Sequence, residues 1–154
     1  MLKTESRNEK TVNIDKMTTD EMLSVMQDEN EKAAFAVRRA IPEIRKTVDS
    51  VYLKMKNGGR LFYVGCGTSG RLGVLDASEI PPTYGVPQGV VIGIIAGGDS
   101  ALRFSSEGAE DDALKGRLDL LSYNVTENDS VIGISAAGGA QYVVGALKLA
   151  KEKG

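Results

Sequence analysis

The apolar positions of this chain follow two different periods, and the change comes at Asn57-Gly58-Gly59. Before it, Val37, Ile41, Ile44, Val48, Val51 and Met55 step by three and four residues, the period of a helix. The spacing predicts a long helical stretch over about 31–56, with a kink or break at Pro42, which lacks the amide that a helix interior uses. A shorter helix is expected ahead of it, carrying Met22, Leu23, Val25 and Met26. Thr18 and Glu21 have the capping-box spacing that would open it. Residues 1–17 read as an arm with two apolar anchors, Val12 and Ile14. Asn57-Gly58-Gly59 stops the helix, since both residue types accept the left-handed backbone.

Beyond this point short, β-prone apolar runs alternate with helical ones. Residues 60–64, 90–96 and 131–135 read as buried parallel strands. Helices are expected from near Ser69 to about Ile80, where Pro81-Pro82 stops the first, then over most of 102–121, and over 141–152. This alternation predicts an α/β fold, three-layer α/β/α with a parallel sheet, preceded by an N-terminal helical segment. The expected division is 1–56 for the arm and helices and 57–154 for the α/β domain. Three strands make a small sheet with a bare edge, which favours pairing with another chain.

Composition narrows the chemistry. The 154 residues include no histidine, which removes Ser-His-Asp and Cys-His catalysis and any His-ligated metal site. Acid–base work must fall to carboxylates, Lys, Tyr or Cys. The net charge of −2 offers no basic surface for nucleic acid. With Cys66 the single cysteine, no internal disulfide forms, and a reducing, cytoplasmic setting is expected. Residues 1–20 have no signal-type apolar core, and no apolar run is long enough to span a bilayer.

Gly65-x-Gly67-x-x-Gly70 follows a predicted strand and opens a helix. Such a loop lets the backbone approach an anion, which the helix N-terminus then meets with unpaired N–H groups. A dinucleotide site also wants an acid about 20 residues on. The nearest candidate, Asp99, lies 29 residues past Gly70. Thr68, Ser69 and Arg71 suit a sugar phosphate, with hydroxyls for sugar oxygens and a guanidinium for phosphate. The plainer alternative makes Ser69 a helix cap and Arg71 an exposed helix residue. Cys66 lies where a helix N-terminus can lower a thiol pKa, but it reads as a packing residue rather than a reactive one.

Two acidic groups stand out. Glu79 falls near a predicted helix C-terminus, the unfavourable end of the macrodipole for a carboxylate. Glu107, Glu110, Asp111 and Asp112 crowd six positions. They read either as a solvated helix start or as the source of one acid that meets Glu79 in a pocket, where two carboxylates in different surroundings divide acid and base roles.

The run from Gly58 through Gly65-Cys66-Gly67-Thr68-Ser69-Gly70-Arg71 to Asp76-Ala77-Ser78-Glu79-Ile80-Pro81-Pro82-Thr83 resembles the signature of N-acetylmuramic acid 6-phosphate etherases, in the sugar isomerase (SIS) superfamily with the glucokinase regulatory protein. Thr4-Glu5-x-Arg7-Asn8, Ile14-Asp15, Ile94-x-Ala96-Gly97-Gly98 and Glu107-Gly108-Ala109-Glu110-Asp111 extend the likeness. It implies a partial SIS-like fold and a cytoplasmic homodimer that binds a sugar 6-phosphate in cell-wall recycling, with no metal, cofactor, nucleic acid or membrane. It also implies a lyase that releases D-lactate by elimination and water addition. Glu79 then matches the acid and Glu110 the base, and Gly65, Gly67, Thr68, Ser69, Gly70, Arg71, Ser135 and Gly138 the substrate-binding positions. Non-catalytic sugar-phosphate sensing is the alternative it leaves open. The family's second loop reads Ala-Ser-Gly-Arg-Thr-Pro-Tyr-Val. Here Ala137, Gly139 and Ala140 replace its Ser, Arg and Thr, and the chain covers about half the family's length.

Overall fold

The computed structural model describes residues 6–154; Thr4 and Glu5 of the opening motif lie outside the described residues. The chain divides into two compact units, Met1–Ser50 and Val51–Gly154. Two 3-10 turns, Glu9–Thr11 and Ile14–Lys16, lead into helix α1, Thr19–Lys56, whose residues up to Ser50 belong to the first unit. The capping box forms: the Thr18 N–H donates to Glu21 Oε2 at 2.7 Å, and the Glu21 N–H to Thr18 Oγ1 at 3.4 Å. Two helices, and a kink or break at Pro42, are expected from the sequence; there is one helix, and α1 has no break at that residue. Pro42 removes only the bond to the Arg38 carbonyl, and that residue is exposed. Strong helix formers flank the site, Ala33, Ala34, Ala36 and Ala40, and no glycine interrupts residues 19–56.

The second unit holds the sheet. Strands β1 (Leu61–Gly65), β2 (Val91–Ile95) and β3 (Ser130–Ile134) are parallel, in the order β2-β1-β3. Helix α2 (Gly67–Tyr84) joins β1 to β2, α3 (Ala113–Leu121) precedes β3, and α4 (Gln141–Lys153) follows it. Strand alternation sorts the faces. Tyr63 and Ile134 turn toward α2, where the absent Cβ of Gly73 would lie 2.8 and 3.4 Å from their side chains. Phe62, Val64 and Ile94 point the other way and bury against Leu120, Tyr142, Val143, Ala146 and Leu149. The result is the three-layer α/β/α arrangement read from the alternation.

Two element boundaries differ from expectation. Helix α2 begins at Gly67, not near Ser69, and runs past Pro81-Pro82 to Tyr84. Both prolines occupy the last turn, where their fixed φ suits a helix and the loss is two terminal bonds. Gly85 ends the helix instead, at φ +67, its N–H donating to the Pro81 carbonyl at 2.9 Å. The stretch 102–121 is helical only from Ala113. Before that come 3-10 turns at Asp99–Leu102 and Ala109–Asp111, and Gly108 at φ +71 separates them. Asp112 caps α3 through its side chain, which accepts from the Lys115 N–H at 2.8 Å.

Candidate functional site

In a parallel α/β sheet, ligands bind beyond the carboxyl ends of the strands, where neighbouring strands send their helices to opposite faces. Here β1 and β3 are neighbours, while α2 and α4 lie on opposite faces. The crevice between their loops is therefore framed by Cys66-Gly67-Thr68-Ser69 on one side and by 135–140 on the other. Neither helix is closed by a side-chain cap, since Cys66 and Ala140 hold the N-cap positions without such a bond. The first-turn N–H groups of both helices remain available to an anion.

Gly70 makes the loop possible. A Cβ there would sit 2.6 Å from Ile95 Cγ1 and 2.7 Å from the Gly65 carbonyl oxygen. Its hydrogen lets α2 start directly against the ends of β1 and β2. Ser69 is half-buried and does not cap the helix, so the capping reading of that residue does not hold. Across the crevice, the Gly138 N–H donates to Ser135 Oγ at 3.1 Å, which shapes the second loop.

On the β2 side of the loop lies a hollow of about 190 Å³. Cys66, Gly67 and Arg71 line it together with Ala96, Ala101 and residues 105–110. It is smaller than the usual ~300–1,000 Å³ of small-molecule pockets and suits part of a ligand. Glu107 and Glu110 bring carboxylates to it, and Arg71 brings a cation. Arg71 is half-buried, not an exposed helix residue; its Nε donates to the Leu102 carbonyl at 3.1 Å. The Cys66 thiol is pushed up to about 11, first by burial and then by the charges of Glu110 and Asp111. This is opposite to the lowering that a helix N-terminus exerts, because burial, with the two carboxylate charges added to it, raises the thiol.

The predicted residues are thus only partly assembled. Gly67, Arg71 and Glu110 share the hollow. Gly65, Thr68, Ser69 and Gly70 form the loop above it, and Ser135 and Gly138 face that loop across the crevice. Glu79 lies two turns of α2 beyond Arg71, exposed, and outside the lining of the hollow. Ala101, Ser105 and Ser106 also line the hollow, and sequence reasoning missed them by reading the segment as helix. The pair Ser105-Ser106 followed by Gly108 was the signal for a loop.

Comparison with known proteins identifies the family of the chain. Residues 43–151 match the family model described as the glucokinase regulatory protein N-terminal SIS domain. The N-acetylmuramic acid 6-phosphate etherase of Caldanaerobacter subterraneus subsp. tengcongensis is 56% identical over 151 residues, which is 98% of this chain and 49% of that protein. Those of Clostridium beijerinckii and Lactococcus lactis subsp. cremoris are 54% and 52% identical over 153 residues, 99% of this chain and 50% and 52% of theirs. The chain spans about half the length of the curated relatives it matches.

Proposed function

The chain belongs to the glucokinase regulatory protein N-terminal SIS domain family, and from that premise we propose that it acts as half of an N-acetylmuramic acid 6-phosphate etherase. The observation that carries this reading is the shared hollow, in which Glu110 lies beside Gly67 and Arg71 of the glycine-rich loop. More than half of the chain's residues are identical to those of etherases along nearly its whole length, which supports the same conclusion.

The substrate phosphate sits in the crevice, on the first-turn N–H groups of α2 and α4, with the Thr68 and Ser69 hydroxyls beside it. The opened sugar then reaches over Gly67 into the hollow. Glu110 takes the proton from the carbon next to the aldehyde. The electron pair left there forms a carbon–carbon double bond and expels the lactyl oxygen, which takes up a proton; the sequence resemblance gives that proton to Glu79, although Glu79 lies outside the hollow that holds Glu110. Water adds across the double bond, giving N-acetylglucosamine 6-phosphate and D-lactate. The chain works in the cytoplasm in cell-wall recycling, as a homodimer. Support for association comes from the outer edges of β2 and β3, which pair with no further strand among the described residues, and from the apolar face of α1.

D-lactate release from N-acetylmuramic acid 6-phosphate tests the roles. Glu110→Gln and Glu79→Gln each lower it by about 10²–10⁴-fold, the usual worth of a general acid or base. Wild-type rates in both variants contradict the assignment. A second reading, a non-catalytic sugar-phosphate sensor, is favoured by one observation: Ala137, Gly139 and Ala140 bring no side-chain donor to the crevice. Calorimetric binding of sugar 6-phosphates without lactate release supports the sensor.

A further inference from the structure

Building on the sugar-phosphate reading of the hollow, we propose that Arg71 is a positioning residue that holds Glu110 at it, by tying the wall of the hollow to helix α2. The chain leaves β2 at Ile95 and regains a helix only at Ala113, and 103–108 has no regular structure. Glu107 and Glu110 ride on this stretch. Among the described residues, one side chain from outside 97–112 hydrogen-bonds into it, and that is Arg71, through Nε to the Leu102 carbonyl. Leu102 closes the 3-10 turn from which the irregular segment departs. The bond therefore fixes the point where the wall begins.

The other restraints on the wall are its own local bonds, such as the Asp111 N–H to the Gly108 carbonyl at 3.2 Å and the Asp112 cap on the Lys115 N–H, and two contacts of shape. Gly97, at φ +89, lets Ser106 fold back to where an added Cβ would come within 2.8 Å of its Oγ. Ala109 packs on the core beyond. Neither contact reaches from the wall to helix α2. Arg71 is the single cation among the residues lining the hollow. Its guanidinium thus supplies the link from floor to wall and brings the one positive charge of that lining to a hollow that two carboxylate residues share. Because Nε is committed to Leu102, the side chain is oriented before any ligand arrives, as an arginine fork allows.

Turnover and wall mobility are measured on the full chain for Arg71→Ala, Arg71→Lys and wild type. Arg71→Ala lowers kcat by about a hundredfold, the scale of an ångström misplacement of a catalytic group, while KM changes by less than about threefold. Arg71→Lys, which keeps a charged donor, recovers most of the loss. Independently of activity, amide hydrogen exchange at 103–111 rises at least tenfold in Arg71→Ala, with the amides of β1 and β3 unchanged. A rise in KM at constant kcat makes Arg71 a ligand grip and overturns the proposal. So does unchanged exchange at 103–111, and so does exchange that rises equally throughout the sheet. If wild type shows no turnover but the exchange result holds, the etherase reading fails and the positioning role stands.

Discussion

At the scale of single residues, Asp129 shows how one carboxylate secures the end of the sheet away from the candidate site. Its side chain is almost fully buried and accepts five hydrogen bonds. Oδ1 takes the Arg60 N–H at 2.8 Å and Nε at 3.1 Å, and Oδ2 takes Arg60 Nη2 at 2.8 Å and the Thr126 N–H and hydroxyl at 2.9 and 3.3 Å. Burial pushes this carboxyl up, but Arg60 and the backbone donors outweigh it and hold it at about 2, against an ordinary 3.8. A carboxyl depressed in the folded state stabilises above its unfolded value and loses that contribution as pH falls through the folded one. Asp129→Asn therefore costs about 2 kcal/mol at pH 7, read as a lower urea midpoint, and the gap from wild type closes as pH falls from 4 to 2. A gap that stays constant over that range contradicts the account. Arg60 and Asp129 were not singled out from sequence, because 69 positions separate them and only the parallel pairing of β1 with β3 brings them together.

At the scale of elements, the glycine-rich loop and the strands were legible, and the helix ends less so. Three short apolar runs, each followed by glycine or serine within a few residues, identify parallel strands without knowledge of their partners. Pro42 and Pro81-Pro82 misled because proline removes a donor but does not bar a helix where the freed carbonyl is exposed or terminal. The wall of the hollow was misread because its acids run straight into the leucines of α3 and so mimic one helix, while the left-handed turn at Gly108 breaks it. The second loop yields a direct prediction. An added Cβ at Gly139 meets nothing within 4 Å, so a large side chain fits there. The triple change Ala137→Ser, Gly139→Arg and Ala140→Thr restores three donors, and each bond to a charged group is worth roughly 1.5–3 kcal/mol. N-acetylglucosamine 6-phosphate binds at least about tenfold tighter to this variant by calorimetry. Equal affinity contradicts placing the phosphate at this loop.

At the scale of the whole molecule, much apolar surface is left in water. No residue of α1 is buried, and Val37, Ile41, Ile44 and Val48, spaced three and four apart, are each exposed. Such a seam is the pattern by which helices pair with one another. A homodimer that uses it has about twice the 16.4 kDa of one chain in sedimentation, and Ile41→Glu with Val48→Glu returns it to the monomer mass without loss of helix signal. A monomeric wild type contradicts association through this face. The sequence periodicity exposed this seam but not its solvent exposure, since burial depends on what packs against a helix and not on its own pattern.

The role of Glu110 as the base is tested most directly by the fate of one hydrogen. Cleavage of N-acetylmuramic acid 6-phosphate in heavy water, followed by mass spectrometry of the sugar product, reports whether the proton beside the aldehyde was exchanged. The account predicts one firmly bound deuterium at that carbon in every product molecule, and loss of both lactate and label in Glu110→Gln. Lactate released with no deuterium in the sugar, or label and lactate undiminished in Glu110→Gln, would contradict it.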